Sequence, residues 1–203
     1  MKRICVYCGS NPGRLAEYET AALKLADVML ERGFTLVYGG ADVGLMSVLA
    51  NRLLDGGGGV IGVMLSTLLE KEVAHKGLKD LRVAPTIQER KRMMEELGDA
   101  FIAMPGGFGT LDELFEVLTL SQIGILSKPC GLLNVGGYYD GLLEFLDHAV
   151  DQKFIRKEHR ELVQSAADPA ELLDKLRDFK PAPAGKWFSD LRHEHASRRR
   201  RGR

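Results

Sequence analysis

Hydrophobic residues fall into short, almost continuous runs along the chain, and longer segments of helical periodicity separate these runs. The runs are apolar at nearly every position, as expected of strands that are covered on both faces of a sheet. They span residues 4–9, 35–40, 60–65, 81–85, 100–107 and 129–137, and a further short strand is expected near Leu162. The pattern therefore predicts buried parallel strands rather than half-exposed antiparallel ones.

The segments between these runs repeat their apolar residues every three or four positions, which is typical of amphipathic helices. They span residues 15–32, 44–54, 87–97, 110–123 and 139–152, and a last helix is expected to begin at Asp168 and Pro169. Strand and helix alternate at least five times. This alternation predicts an α/β fold in which helices flank a doubly wound parallel sheet with right-handed crossovers.

The 203 residues, 45% of them hydrophobic, fit one domain better than two small ones. We place a single nucleotide-binding α/β domain at residues 1–179 and a Pro-rich link with a basic, disordered tail at residues 180–203. Lysine plus arginine balance aspartate plus glutamate at 28 each, but six arginines lie within residues 192–203. The remaining chain is mildly acidic, so we expect no nucleic-acid partner.

The start of the chain predicts a cytoplasmic protein, because its first apolar run is too short for a signal peptide and no window is long enough for a membrane span. Three cysteines, Cys5, Cys8 and Cys130, do not suggest a disulfide framework and are predicted to be small buried hydrophobic residues. No cysteine and histidine cluster suggests a metal, so none is expected.

Three glycine-containing loops follow predicted strands, at residues 8–10, 38–46 and 104–110. Ligands of doubly wound sheets bind beyond the carboxyl ends of the strands, near helix N-termini. We therefore expect the three loops to converge on one site, with Ser10 capping the next helix, contacting the ligand, or doing both. The connection at residues 66–80 is long for such a fold, which often marks a functional loop.

The third loop, "MPGGFGT", places Gly106, Gly107 and Gly109 between a strand and a helix, with Thr110 as the predicted N-cap. Successive backbone N–H groups and the positive end of the helix dipole form an anion site there. The loop lacks the lysine and serine of a P-loop and does not match G-x-G-x-x-G. A monophosphate therefore fits better than ATP or NAD, and the alternative is a tight turn without a ligand.

Glu113 permits two interpretations, because it completes a T-x-x-E pattern with Thr110. It either folds back on the N-cap as a capping box or addresses the sugar of a bound nucleotide. Arg90 and Lys91 lie near the start of the preceding helix, although such charges are usually solvated. This helix begins at the carboxyl end of the 81–85 strand, which we expect next to the "MPGG" strand. One carboxylate and one arginine near a phosphate form a workable site for nucleotide chemistry.

The pair of motifs "ERK" (89–91) and "PGGFGTLDE" (105–113) resembles the Lonely Guy family, often mislabelled lysine decarboxylases, whose mark P-G-G-x-G-T-x-x-E follows an arginine–lysine pair. "CVYCGS" and "YGGADVGLM" resemble earlier loops of the same family, and the similarity covers residues 1–178. The resemblance implies a Rossmann-like homodimer that hydrolyses the N-glycosidic bond of nucleoside 5'-monophosphates. Cytokinin riboside monophosphates and AMP would yield a free base and ribose 5-phosphate.

Carried over by motif, the resemblance makes Arg90 and Glu113 the catalytic pair, with neither cofactor nor metal. The implied substrate contacts are Glu72, Lys91, Gly106, Gly107, Gly109, Thr110 and Thr119. We add Ser10 and Gly40, which lie in the first two loops, as further expected contacts. Ala41 and Ser47 depart from the family's second motif, where glycines are common. Contacts from that loop are therefore in question.

Two other functions compete with hydrolysis. A non-catalytic nucleotide sensor or carrier on the same fold would bind nucleotide and return it intact, and the departures at Ala41 and Ser47 favour it. Amino-acid decarboxylation would need a Schiff-base lysine and a pyridoxal phosphate cup, and Lys91 has the wrong neighbours in sequence for that role. The sequence leaves open the base preference and the choice between a dimer and a hexamer.

Overall fold

The computed structural model describes residues 1–69 and 74–180. Within these residues the strands are β1 Arg3–Tyr7, β2 Thr35–Tyr38, β3 Val60–Leu65, β4 Asp80–Ala84, β5 Ala100–Ala103, β6 Cys130–Leu133 and β7 Val163–Ala166. All pair in parallel in one sheet of order β4-β3-β2-β1-β5-β6-β7. The predicted doubly wound parallel sheet is confirmed.

Helices connect successive strands, again as the periodicity predicted. They are α1 Ala16–Glu31, α2 Gly44–Asp55, α3 Ser66–Leu69, α4 Ile87–Leu97, α5 Phe108–Gln122, α6 Asp140–Asp151, α7 Lys157–Arg160 and α8 Pro169–Asp178. A 3-10 turn, Val135–Gly137, follows β6. Asp168 caps α8 by accepting from the Ala170 and Glu171 amides, and Pro169 is the first helical residue, both as predicted.

Each face of the sheet is covered by its own set of helices. On one face α1, α2 and α8 bury residues such as Leu25, Leu49 and Leu172. On the other face α4, α5 and α6 enclose a second cluster that includes Met94 and Leu114. Burial on both faces explains why the strands read as continuous apolar runs. The three cysteines are buried free thiols, as predicted.

Strand order reverses between β1 and β5, because β1 pairs with β2 on one side and with β5 on the other. Such a reversal opens a crevice at the carboxyl ends of the two strands, where ligands of this architecture bind. The glycine loops after β1, β2 and β5 all end at this crevice. In the described part of the chain, no helix is both long and apolar enough to cross a bilayer.

The expected place of the 81–85 strand beside the "MPGG" strand is wrong. This strand, β4, lies at the edge of the sheet, and β3, β2 and β1 separate it from β5. Arg90 reaches the centre of the sheet because α4 runs back across it and packs against β3, β2 and β1. The local sequence carried no information on this crossing.

Candidate active site

The three glycine loops meet at the carboxyl edge of the sheet. The Gly9 amide donates to the Pro105 carbonyl over 3.0 Å, and the Leu45 amide donates to the Gly9 carbonyl over 3.2 Å. Gly44 has a φ of +53°, and a Cβ there would lie 2.4 Å from the Ser10 carbonyl carbon. The predicted convergence is therefore confirmed, and backbone contacts hold it together.

The glycines of the third loop serve different purposes. A Cβ on Gly106 would lie 2.1 Å from Thr110 Oγ1 and 2.9 Å from the Gly9 amide nitrogen, so internal packing demands glycine there. Around a Cβ on Gly107 or Gly109, by contrast, no described atom would lie within 4 Å. Both residues are exposed, so the loop leaves open space where α5 begins.

Thr110 is not the N-cap of α5, and the capping-box interpretation of Glu113 is wrong. The helix begins at Phe108 with Gly107 as its N-cap, in extended backbone, and no side chain of the described residues caps it. Thr110 is thereby the third helical residue and is buried. A capping box needs a non-helical threonine, and the permissive backbone of Gly107 lets the helix start three residues earlier. The first-turn amides are left for an anion.

The structure brings Arg90 and Glu113 together. Arg90 Nη1 lies 2.6 Å from Glu113 Oε1, and each side chain is only 13% exposed. Arg90 Nε also donates to the Val63 carbonyl over 2.9 Å. A Cβ on Gly39 would lie 2.8 Å from Arg90 Nη2, so the bare backbone after β2 makes room for the guanidinium. Three elements thus fix this one ion pair.

Burial raises the pKa of the Glu113 carboxyl above its ordinary range, and the positive charge of Arg90 opposes this shift. The carboxyl is therefore more basic than an exposed glutamate while it stays hydrogen-bonded in one position. A buried carboxylate with a raised pKa, held by a fixed arginine at a sheet switch point, is typical of catalytic sites. It can orient or deprotonate a water and stabilise positive charge on a neighbouring atom.

Lys91 and Thr119 have partners on α5. The Lys91 ammonium lies 3.1 Å from Asp112 Oδ2 and 2.5 Å from Glu116 Oε2, and these carboxylates raise its pKa. The Thr119 hydroxyl donates to the Phe115 carbonyl one turn earlier. Both residues line a surface groove of about 720 Å³ along α5. This groove also includes Phe108 of the third glycine loop. The positive charge of Lys91 opposes the rise in the pKa of Glu113, so Lys91 lies close enough to the Arg90–Glu113 pair to act on it.

Of the other predicted contacts, one lies at the glycine loops and one does not. Ser10 is exposed and lines a cleft of about 230 Å³ with Gly106 and Gly107, but it does not cap α1, whose N-cap is Leu15. Gly40 is buried, and its Cα faces the Leu81 side chain instead of this cleft. Glu72 lies outside the described residues.

The departure at Ser47 has a structural purpose that the sequence did not reveal. Ser47 Oγ donates to Asp42 Oδ1 over 2.6 Å and accepts from Asn51 Nδ2 over 3.1 Å. His75 Nε2 lies 2.9 Å from Asn51 Oδ1, and its imidazole is buried although the sequence indicated an ordinary loop histidine. This chain of hydrogen bonds ties the loop after β2 to α2 and to the segment around His75.

Two further residues of the site, Gly39 and Tyr138, were not predicted from the sequence. Gly39, rather than Gly40, borders Arg90, and the only signal was the glycine doublet that follows β2. Tyr138 donates from its hydroxyl to the Gly106 carbonyl over 2.6 Å and lines the cleft. Its signal was the "VGGYY" run after β6, a glycine turn at the same edge of the sheet.

The sequence model of a protein family described as "Possible lysine decarboxylase" matches residues 46–176. Cytokinin riboside 5'-monophosphate phosphoribohydrolase LOG of Oryza sativa subsp. japonica is 47% identical over 180 residues, which cover 89% of this chain and 74% of that protein. The chain belongs to the LOG family. A second LOG protein, cytokinin riboside 5'-monophosphate phosphoribohydrolase LOG3 of Arabidopsis thaliana, is 44% identical over 180 residues, or 89% of this chain and 84% of that one.

Solved structures show that the LOG fold extends to more distant proteins. The molybdenum cofactor binding protein from Rippkaea orientalis has a TM-score of 0.66 at 20% identity, covering 87% of this chain and 96% of that one. The Moco carrier protein from Chlamydomonas reinhardtii has a TM-score of 0.62 at 21% identity, covering 86% of this chain and 99% of that one. At this identity the likeness concerns the fold alone.

Proposed function

We propose that this protein is a phosphoribohydrolase, which hydrolyses the N-glycosidic bond of nucleoside 5'-monophosphates. Its substrates are cytokinin riboside monophosphates and AMP, and its products are a free base and ribose 5-phosphate. The observation that carries this proposal is the buried Arg90–Glu113 pair, 2.6 Å apart, beside an uncapped helix N-terminus. Membership of the LOG family, with relatives named for this activity, supports it.

Glu113 acts on the sugar and the attacking water. As the bond between C1' and the base breaks, positive charge develops on the ribose, and the Glu113 carboxylate stabilises it. Its raised pKa makes this carboxylate a better base for the water that attacks C1'. The hydroxyl of the water goes to C1', and its proton passes by way of Glu113 to the departing base.

Arg90 holds Glu113 in place. A guanidinium keeps its proton in proteins, so Arg90 is not a base. Its Nη1 binds Glu113, and its Nε is occupied by the Val63 carbonyl. Its remaining N–H groups are available to the departing base, where a hydrogen bond stabilises the charge left by bond cleavage.

The 5'-phosphate binds the amides at the start of α5. Gly107, Phe108 and Gly109 are exposed at the positive end of the helix dipole. Because the phosphate is remote from the bond that breaks, its binding energy orients the sugar toward Glu113. Gly106 supports this loop through its contact with Thr110.

A product assay tests the proposal. The purified protein is incubated with AMP, with isopentenyladenosine monophosphate and with the corresponding nucleosides, and free base and ribose 5-phosphate are quantified. We expect both nucleotides to be cleaved and the nucleosides to be poor substrates, since they lack the phosphate. A wild-type chain that binds nucleotide tightly and returns it intact supports the sensor or carrier function instead.

Glu113→Gln removes the charge and keeps the shape of the side chain. We expect the turnover number to fall at least ~1,000-fold, because general-base catalysis and charge stabilisation are lost together, while nucleotide affinity measured by calorimetry stays within ~3-fold. Glu96→Gln is the matched control, since Glu96 is exposed on α4 and pairs only with Arg92 among the described residues. Turnover that survives Glu113→Gln contradicts the assignment.

We also propose a homodimer in the cytoplasm. Phe108 is 94% exposed, and with Phe115 and Leu120 it gives the α5 groove an apolar lining. Clusters of exposed large apolar side chains often mark contacts between proteins. The three buried free thiols agree with a reducing compartment.

A further inference from the structure

Tyr138 contacts the glycine loop at the one carbonyl that joins its first two glycines. Its hydroxyl donates to the Gly106 oxygen over 2.6 Å. Its ring lines the cleft of about 230 Å³ beside Gly106 and Gly107 and meets the Tyr18 ring edge-on, with centroids 5.8 Å apart. The side chain is therefore in contact with both the loop and the open space next to it.

The peptide between Gly106 and Gly107 joins two residues that both lack a side chain. Neither neighbouring residue has a Cβ, so each samples backbone conformations that other residues avoid. The peptide unit is planar, and its N–H points opposite to its carbonyl. A hydrogen bond that fixes the Gly106 carbonyl therefore also fixes the direction of the Gly107 N–H, at the start of α5.

The sequence after β6 sets Tyr138 in this position. Gly136 and Gly137 have φ values of +57° and +71°, which turn the chain sharply at the carboxyl edge of the sheet. Asn134 then accepts from the Tyr139 amide over 2.7 Å and donates to Asp140, closing the turn. Tyr138 thus extends from a hydrogen-bonded turn that follows β6.

We propose that Tyr138 is a positioning residue for the phosphoryl group of the substrate. Its hydroxyl holds the Gly106–Gly107 peptide in one orientation, so that the amides at the start of α5 are arranged for an anion before the ligand arrives. The inference rests on the proposed function, because it takes the phosphate to bind at this loop. It adds a residue from the turn after β6 that the family motifs at residues 89–91 and 105–113 do not contain.

The neighbouring tyrosine is a matched control. Tyr139 donates from its hydroxyl to the Met104 carbonyl over 2.7 Å, two residues before Gly106. Unlike Tyr138, it is buried and does not line the cleft. Tyr138→Phe and Tyr139→Phe therefore remove the same atom and a similar hydrogen bond from adjacent residues, but only the first bond is made to the Gly106–Gly107 peptide.

The experiment compares wild type, Tyr138→Phe and Tyr139→Phe by calorimetry with ribose 5-phosphate and by steady-state kinetics with AMP. For Tyr138→Phe we expect the Kd of ribose 5-phosphate and the KM of AMP to rise about 5- to 10-fold, the cost of one lost hydrogen bond. The turnover number should change less than ~2-fold, because Glu113 and Arg90 are not touched. Tyr139→Phe should leave both constants unchanged even where it lowers Tm.

The outcomes separate this inference from the proposed function. An unchanged ribose 5-phosphate Kd in Tyr138→Phe, an equal rise in Tyr139→Phe, or a wild type that binds no ribose 5-phosphate overturns the role of Tyr138. A wild type that releases no base, but whose Kd responds to Tyr138→Phe alone, contradicts the proposed hydrolysis and still supports the role of Tyr138.

Discussion

The role of Glu113 in the structure differs from one of the two roles that the sequence allowed. In sequence it completes a capping box with Thr110, and in the fold it pairs with Arg90. The decision rests on where α5 begins, because a helix that starts at Phe108 makes Thr110 helical and frees the carboxylate. Burial then raises the pKa of Glu113, which suits it to act on water near neutral pH.

The raised pKa predicts the pH dependence of the reaction. The ionised carboxylate is the active form, so kcat falls as the pH drops through the pKa of Glu113. Because burial raises that pKa, the acid limb of the profile should lie above that of an ordinary glutamate. Arg90 favours the charged form, so the residual activity of Arg90→Gln should have its acid limb at still higher pH.

Steady-state kinetics with AMP from acid to neutral pH measure this shift. The folded fraction of the enzyme is measured at each pH to exclude acid unfolding. If the acid limb lies at the pH expected for an ordinary glutamate, or moves to lower pH in Arg90→Gln, the link between Glu113 burial and activity is refuted.

At the scale of the element, the strand-to-helix loop from β5 to α5 combines two kinds of glycine. Gly106 allows close packing of the loop on Thr110 and on the β1 loop. Gly107 and Gly109 face open space, and the absence of side chains there leaves the amides accessible. The sequence showed three similar glycines. Only their surroundings in the fold show that Gly106 is needed for packing and that Gly107 and Gly109 leave the backbone amides accessible.

This difference predicts opposite effects of alanine at two positions. Gly106→Ala places a Cβ 2.1 Å from Thr110 Oγ1 and should destabilise the fold by about 1–3 kcal/mol. Gly109→Ala lies inside α5 with open space around it and should stabilise the fold by about 0.5–1 kcal/mol. Urea unfolding measures both changes, and equal effects of the two variants would show that the loop relaxes around either methyl group.

At the scale of the whole molecule, the crossing of α4 over the sheet assembles the site. Arg90 follows the edge strand β4, yet it meets a carboxylate that follows β5, four strands away in the sheet order. The same arrangement leaves the apolar side of α5 at the surface, where Phe108 and Phe115 are exposed. The predicted division at residue 180 stays a prediction, because residues 181–203 lie outside the described part of the chain.

The exposed side of α5 predicts which substitution would prevent the proposed dimer from forming. Phe115→Glu places a charge in the apolar groove. Because this charge would lose its water on association, we expect the Kd of the proposed dimer to rise at least ~100-fold, which is typical of a residue at the centre of an interface. Phe154→Glu is the comparison, since Phe154 is 87% exposed but lies outside the groove. Light scattering over a concentration series measures both, and a Phe115→Glu protein that stays dimeric would place the interface elsewhere.

The sequence by itself determined the parallel α/β architecture, the helix and strand positions to within a few residues, and the loops that form the site, because burial on two faces and glycine at strand ends leave local signals. It also singled out Arg90 and Glu113 through their motifs. Only the tertiary structure decided that these side chains meet, that Lys91 pairs with Asp112 and Glu116, and that Tyr138 contacts the glycine loop. Those facts depend on strand order and helix crossing, which arise from packing between residues distant in sequence.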